Sequence, residues 1–304
     1  MRKLMSESKH KFLSTLIVSI GAFLGFEALS FIAGIYQIKT YVYVSFYIYF
    51  FHVFWLTFIF DLHAKKRSVL GAYLSGELDR GLIRQALKER FEHVFNWHYI
   101  RHFQNFLVLP AIIYWAVVIL LFLNPFREEI KQLIVVSASL AQTVAYWYFK
   151  DFLSKKLEMH EFGVKALFLV KLFAAFLIFS ATFGVIWYFG LEVRLLVLGI
   201  FSLAFILVYQ SLFQHKLLWP KVYPWIFGIA AVMAAGSLVL DQYWDRNYLT
   251  AGLALLAVYN SLWALLHHHL EKTLTKKMAL EYLAMMVLVL SFLIAGSDFA
   301  PRID

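Results

Sequence analysis

Apolar segments about as long as a lipid bilayer is thick recur along the whole chain. A bilayer core is about 30 Å thick and an α-helix rises 1.5 Å per residue, so a spanning helix needs roughly 20 apolar residues. Nine segments come close to this length: 12–36, 41–62, 106–123, 132–149, 164–189, 195–213, 223–240, 248–266 and 278–296. The sequence therefore predicts an all-α, polytopic helical membrane protein with about nine transmembrane helices.

The composition supports a membrane protein. Hydrophobic residues make up 62% of the 304 residues and charged residues 15%, which is unlike the composition of soluble domains. The first apolar segment follows a basic leader, but it is too long for a signal peptide, so we expect a retained anchor helix. Because little of the chain lies outside the nine segments, we expect one integral membrane domain over 1–304.

The basic residues indicate the orientation. With the N-terminus in the cytoplasm, the cytoplasmic segments carry 21 of the 28 Lys and Arg residues. Positive charge is enriched on the cytoplasmic side of membrane proteins, which predicts N-in/C-out insertion in the cell membrane. The net charge of +9 then indicates contact with anionic membrane lipids and no nucleic-acid partner. The chain has no cysteine, which excludes disulfides and thiolate metal sites.

One long cytoplasmic loop is predicted, over 63–105, and it reads as an amphipathic helix. Asp79 suits the N-cap position. Apolar residues then follow at helical spacing: Leu82, Ile83, Leu87, Phe91, Val94 and Phe95. We expect this apolar face to lie against the membrane surface or to cap the helical bundle.

Two stretches of similar sequence, which we call the internal echo, predict a repeated two-helix hairpin. The stretches VYQSLFQHKL (208–217) and VYNSLWALLHHHL (258–270) share Val-Tyr-amide-Ser-Leu-aromatic and lead to histidine. Each is followed by another apolar segment that ends in Gly-Ser. Such self-similarity at a fixed spacing is typical of duplicated structural units.

Several polar side chains fall inside the predicted spans. A polar group in hydrocarbon is costly, so it usually faces the bundle interior or a cavity. The intramembrane polar residues are Glu27, His52, Gln142, Gln210 and Asn260. Lys171 lies near the cytoplasmic end of its span, so its long side chain is expected to snorkel towards water.

Ten of the eleven histidines fall in the predicted cytoplasmic segments. Imidazole is the commonest metal ligand, and a metal site needs several converging ligands. The candidate metal ligands are His98, His102 and His267, followed by His63, His160 and Glu161. On an unbroken helix, His268 and His269 point away from the face that His267 shares with Asn260 and Glu271. The alternative is that these histidines anchor helices at the headgroup level.

Two histidine motifs resemble those of a known enzyme class. HYIRH (98–102) is similar to the HxxxH box of membrane-bound di-iron desaturases and hydroxylases, and HHH (267–269) lies where a late histidine box of that class lies. Neither HxxHH box of the class occurs. The resemblance implies iron ligation and a di-iron-like oxidoreductase, whereas mixed His and carboxylate ligands also suit zinc.

The leading hypothesis is an integral membrane metalloprotein with a His-rich cytoplasmic site. It would be an enzyme that uses iron or zinc to modify a lipid-like substrate, such as an acyl, isoprenoid or carotenoid chain. One alternative is a transporter or channel lined by the intramembrane polar residues, and another is a noncatalytic subunit of a membrane complex. The chain lacks a phosphate-binding glycine loop, a nucleophile elbow and an HExxH sequence, which excludes the enzyme classes that depend on them.

Overall fold

The computed structural model describes residues 2–33, 37–54, 63–64, 67–68, 76, 79–85, 88, 97–123, 128–153 and 161–297. Nine long helices follow one another among these residues: α1 (Arg2–Ala33), α2 (Ile38–Phe54), α3 (Trp97–Leu123), α4 (Glu128–Leu153), α5 (Glu161–Phe189), α6 (Val193–Gln214), α7 (Tyr223–Tyr243), α8 (Tyr248–Leu270) and α9 (Lys276–Ala295). Each coincides with one of the nine predicted apolar segments. The prediction of an all-helical fold is confirmed.

Six of the described helices are long and apolar enough to cross a membrane. The stretches are Leu16–Ala33, Lys165–Phe189, Val193–Gln214, Pro220–Tyr243, Tyr248–Leu270 and Lys276–Ala295. In α3 the apolar part is shorter, Val108–Leu123. The described part of α2 has 17 residues, and α4 begins with the charged pair Glu128 and Glu129. The helices indicate a membrane protein with six supported spans, and the sidedness of the loops stays a prediction.

The predicted long loop contains a pair of short strands and a short helix among its described residues. The strands β1 (His63–Ala64) and β2 (Arg67–Ser68) form a minimal antiparallel pair. A short helix begins directly after Asp79, whose carbonyl accepts hydrogen bonds from the amides of Leu82 and Ile83 at 3.1 and 3.3 Å. Asp79 therefore stands at the N-cap that the sequence predicts. The later apolar positions predicted for this helix, Leu87, Phe91, Val94 and Phe95, lie outside the described residues.

The helices group into two compact units, Met1–Val170 and Lys171–Asp304. In the first unit, α1 packs against α2, α3 and α4. Its core-facing stripe is spaced by four, four and three residues, which places it on one helix face: Val18, Ala22, Phe26 and Leu29. Reciprocal hydrogen bonds join α2 and α3, since the Tyr41 hydroxyl donates to the Val118 carbonyl and the Tyr114 hydroxyl donates to the Ser45 carbonyl.

In the second unit, each helix from α6 to α9 packs against the next one along the chain. The two similar stretches lie on α6 and α8, and duplication of the hairpins α6–α7 and α8–α9 stays a prediction. The part of α5 from Lys171 onwards also belongs to this unit. It is joined to α7 by a hydrogen bond of 2.7 Å from the Trp187 indole to the Asp241 carboxylate. It approaches α8 closely at Gly252, where a Cβ atom would lie 2.7 Å from the Ser180 amide nitrogen. Only glycine therefore allows this backbone contact.

The last helix, α9, lies at the periphery of its unit, and it has no buried residue. Leu280 is 69% exposed and Phe292 is 72% exposed, so most of the apolar surface of this helix is not covered by the described part of the chain. Its polar contacts with α8 run through Tyr282. The Tyr282 carbonyl accepts from the Ser261 hydroxyl at 3.3 Å, and its hydroxyl lies 3.3 Å from His268 Nε2.

Candidate metal site

Helices α6 and α8 end with the same backbone motif. Lys216 and Lys272 have φ angles of 58° and 59°, a left-handed conformation that is uncommon for residues other than glycine. In each case the residue after the lysine donates its amide to the carbonyl five residues earlier, at 2.9 Å. This is the Schellman closure of a helix C-terminus. The residues just before these lysines, His215 and Glu271, are therefore the equivalent C-caps of the two helices.

The two C-caps lie next to His267, one turn before the end of α8. One potential ligand atom from each of the three residues lies within 4.8 Å of the others. His267 Nε2 is 3.3 Å from His215 Nδ1 and 3.3 Å from Glu271 Oε1. Around a tetrahedral ion with bonds of about 2.0–2.1 Å, neighbouring ligand atoms are about 3.3 Å apart. Both measured distances match that value.

Protein hydrogen bonds alone satisfy these atoms poorly. The Nε2 atom of His267 has a single in-plane bonding direction, yet it faces a carboxylate oxygen and another imidazole nitrogen at the same distance. If Nε2 carries the proton, it can donate a good hydrogen bond either to the Glu271 carboxylate or to the His215 imidazole, but not to both. If Nε2 carries no proton, it is an acceptor that faces another acceptor, the carboxylate oxygen. A cation between the three atoms would satisfy all of them at once.

The local field also favours a cation. The C-terminus of a helix carries a partial negative charge, roughly half an elementary charge. Because His215 and Glu271 are both C-caps, two such termini converge on the cluster, in addition to the carboxylate of Glu271. Both termini and the carboxylate add negative potential at the cluster, whereas the charge of Lys171 opposes it.

His215 and Glu271 are exposed, and His267 is partly buried beside Trp263. The Trp263 ring centroid lies 5.9 Å from His215 and 5.4 Å from His267, and the His267 side chain is 19% exposed. Burial lowers the pKa of His215 to about 4, with smaller contributions in the same direction from Lys171 and His267. His215 is therefore neutral near pH 7, the form in which imidazole binds metals.

The other two histidines of the triplet have different partners. His268 Nδ1 lies 2.9 Å from the Thr273 hydroxyl, and its Nε2 faces Tyr282 on α9. The ring of His269 packs 5.6 Å from Trp225. Because α8 continues to Leu270, the three histidines point in different directions, as helical spacing predicts.

Of the six predicted metal ligands, His267 lies in the cluster. His98 and His102 lie on α3 and His63 on β1, with side chains outside the described part of the structure. Glu161 is the first residue of α5 and its side chain is likewise not described, and His160 falls outside the described residues. Whether these five residues bind a metal stays a prediction.

The predicted intramembrane polar residues lie on five different helices. Glu27 is half-buried on α1, and His52 lies on α2 with its side chain outside the described part. Gln142 on α4 and Gln210 on α6 are each 1% exposed. Asn260 on α8 has a buried Oδ1 atom with no hydrogen-bond partner among the described residues. Gln210 and Asn260 belong to the unit that contains the cluster.

Sequence reasoning did not select His215 and Glu271 as ligands, although it carried signals for both. His215 lies in the first copy of the internal echo, and Glu271 lies four residues after His267. The echo pairs Val208 with Val258, an offset of 50, whereas the left-handed lysines at 216 and 272 are 56 apart. When α6 and α8 are aligned by their C-terminal ends instead of by sequence identity, the C-caps His215 and Glu271 occupy equivalent positions.

Comparison with known proteins identifies a family without assigning an activity. The family described as "Protein of unknown function (DUF5656)" matches residues 63–296, which include the cluster and all the helices from α3 onwards. No curated protein and no solved structure matches the chain.

Proposed function

The chain belongs to the DUF5656 family, and we propose that it is an integral membrane metalloprotein whose ion is bound by His215, His267 and Glu271. The main support for this proposal is that His267 Nε2 lies 3.3 Å from a potential ligand atom on each of the other two residues. Support also comes from the neutral state of His215 and from the two helix C-termini that meet at the site.

The donor set suits iron or zinc. Two imidazoles and one carboxylate form the usual protein ligands of many catalytic zinc sites and of non-haem iron sites. Three protein ligands leave coordination positions open for water or substrate, whereas structural zinc sites are closed by four. When bound, iron would supply oxygen activation and zinc would supply Lewis-acid chemistry.

The position of the site favours an enzyme that acts on a lipid-like substrate. The cluster lies at the ends of two apolar, span-length helices, where a molecule dissolved in the bilayer would present a polar head. Trp263 covers the two imidazoles and excludes part of the surrounding water. His215, His267 and Glu271 would hold the ion, and an acyl, isoprenoid or carotenoid chain would remain among the apolar helices.

Elemental analysis tests metal binding. Protein purified from membranes without chelator is expected to contain about one iron or zinc ion per chain. His267→Ala and His215→Ala should lose the ion. His269→Ala should retain it, because His269 packs against Trp225 instead. Wild-type protein without stoichiometric metal would contradict the proposal and favour the transporter or the noncatalytic subunit.

Lipid analysis tests the enzymatic part separately. Membranes from cells that produce the wild-type protein should contain a lipid product that is missing from cells producing His267→Ala, with His269→Ala as the matched control. Identical lipid profiles for all three proteins, with metal bound to the wild type, would leave a metalloprotein without lipid-modifying activity.

A further inference from the structure

His268, the middle residue of the histidine triplet, is outside the proposed ligand set, yet both nitrogens of its ring have partners. Its Nδ1 atom lies 2.9 Å from the Thr273 hydroxyl, and its Nε2 atom lies 3.3 Å from the Tyr282 hydroxyl. Thr273 belongs to the short segment that follows α8, and Tyr282 belongs to α9. The His268 ring therefore joins the last turn of α8 to the following segment and to the next helix.

The proton positions in this network follow from its donors and acceptors. The Thr273 hydroxyl donates its single proton to the His268 carbonyl at 3.4 Å, which leaves its oxygen free to accept. Nδ1 then carries the proton of the neutral ring and donates it to Thr273, while Nε2 accepts from the Tyr282 hydroxyl. Each of these three protons has an acceptor, so the ring is held from both sides.

The link between His268 and Thr273 encloses the proposed carboxylate ligand. Glu271 lies between the two residues in the sequence, and the Thr273 amide also donates to the His268 carbonyl at 2.9 Å. The ring therefore adds a second connection across the same turn. Because helix ends fray, this connection restrains the C-cap Glu271, whose carboxylate lies 3.3 Å from His267.

The end of α6 has the backbone connection alone. There the Leu217 amide donates to the Leu212 carbonyl at 2.9 Å, and leucine side chains cannot form hydrogen bonds. This helix supplies one proposed ligand, His215, whereas α8 supplies both His267 and Glu271. The additional side-chain link thus occurs at the helix end where two proposed ligands must keep a fixed spacing.

We propose, building on the metal site of the proposed function, that His268 is a positioning residue of that site. Held by Thr273 and Tyr282, it fixes the last turn of α8. The fixed turn keeps His267 and Glu271 at the spacing that the ion requires, since ligands bind best when surrounding hydrogen bonds orient them in advance. His268 acts through the backbone and does not bind the ion, because both of its nitrogens are already used.

The zinc affinity of hydroxyl-deletion variants tests the proposal. Thr273→Val nearly keeps the shape of the side chain but removes its hydroxyl, and Tyr282→Phe removes only the phenol hydroxyl. Each should bind Zn²⁺ about tenfold or more weakly than the wild type, in competition with a chromogenic chelator. Thr273→Ser restores a hydroxyl and should bind Zn²⁺ as the wild type does. Thermal unfolding without metal verifies that each variant is folded.

Ser261→Ala distinguishes positioning from a general loosening of the two helices. The Ser261 hydroxyl donates to the Tyr282 carbonyl at 3.3 Å, so this variant weakens a contact between α8 and α9 without removing a partner of the His268 ring. Its zinc affinity should match that of the wild type. The visible absorption of bound Co²⁺ depends on ligand geometry, and it should change in Thr273→Val and Tyr282→Phe but not in Ser261→Ala.

Two kinds of result would overturn the inference, and they are distinct. If Thr273→Val and Tyr282→Phe bind Zn²⁺ as the wild type does, or if Ser261→Ala loses as much affinity as they do, the positioning role is wrong and the metal site stands. If the wild type binds neither Zn²⁺ nor Co²⁺, the proposed function fails first and the positioning role falls with it.

Discussion

The imidazole rings of His215 and His267 meet edge to face, with ring centroids 4.6 Å apart, although 52 positions separate the residues along the chain. His215 belongs to the α6–α7 hairpin and His267 to the α8–α9 hairpin. The two imidazoles therefore connect the two hairpins at the C-terminal ends of α6 and α8. Because a ligand held by both hairpins joins them, metal binding should also stabilise the fold.

Replacement of Glu271 tests the carboxylate ligand. Glu271→Gln keeps the size of the side chain but removes its charge, and we expect a loss of at least about tenfold in zinc affinity, since even outer-shell changes cost about 10–100-fold. Competition with a chromogenic chelator measures the affinity. Glu281→Gln is the control, because Glu281 is an exposed residue of α9 outside the cluster. Equal affinities for the two variants would remove Glu271 from the ligand set.

The close contact between α5 and α8 predicts an asymmetric response to alanine. Gly252→Ala places a methyl group against the Ser180 backbone, which should lower the free energy of unfolding by about 1–3 kcal/mol. Gly228→Ala adds the same methyl group to α7, where nothing lies within 4 Å, and should be neutral or stabilising by up to about 1 kcal/mol. Thermal unfolding in one detergent compares them. A destabilised Gly228→Ala with an unaffected Gly252→Ala would contradict the packing.

The left-handed lysines predict that glycine stabilises both helix ends. A non-glycine residue in this conformation is disfavoured by roughly 1–2 kcal/mol, and part of the gain is offset by the flexibility of glycine in the unfolded chain. Lys216→Gly and Lys272→Gly should each be about 0.5–1 kcal/mol more stable than Lys216→Gln and Lys272→Gln. The glutamine variants control for the lost charge near a helix C-terminus. Chemical unfolding measures the difference, and glutamine variants as stable as the glycine ones would argue against this backbone conformation.

Labelling of single cysteines tests the membrane topology without background, because the chain has no native cysteine. Arg246 precedes α8 and Lys277 follows it, and both are exposed. In intact cells, a membrane-impermeant maleimide should label Arg246→Cys, whereas Lys277→Cys should react after the membrane is opened, as positive-inside orientation predicts. Labelling of both from the same side would show that α8 does not span the membrane.

The helices were predictable because their signal is local. Twenty apolar residues must form a helix if they enter hydrocarbon, since no water is present to bond the backbone. The N-cap at Asp79 was predictable for a different local reason, since a short polar side chain is favoured directly before the first turn of a helix. Six of the nine predicted spans are supported by length and composition. The span predicted for α4, which carries Glu128 and Glu129 in its first turn, stays a prediction.

The site was only partly predictable because it depends on where two helices end. Spacing selected His267 and set aside His268 and His269, since faces of one helix follow from its period. The partner His215 lies at the end of another helix, and its position along the bundle depends on where that helix ends, at Lys216. Lysine rarely adopts the left-handed conformation that ends this helix, so no sequence pattern predicts where the helix ends.

If α9 spans the bilayer, its 20 residues form a rod about 30 Å long that packs against α8 and has no buried residue of its own. A thinner or thicker bilayer would then change the tilt of this helix at a modest energetic cost. Tyr282 would transmit that change to His268, which directly follows the candidate ligand His267. Acyl-chain length in the host membrane would thus be a physical input to this end of the protein.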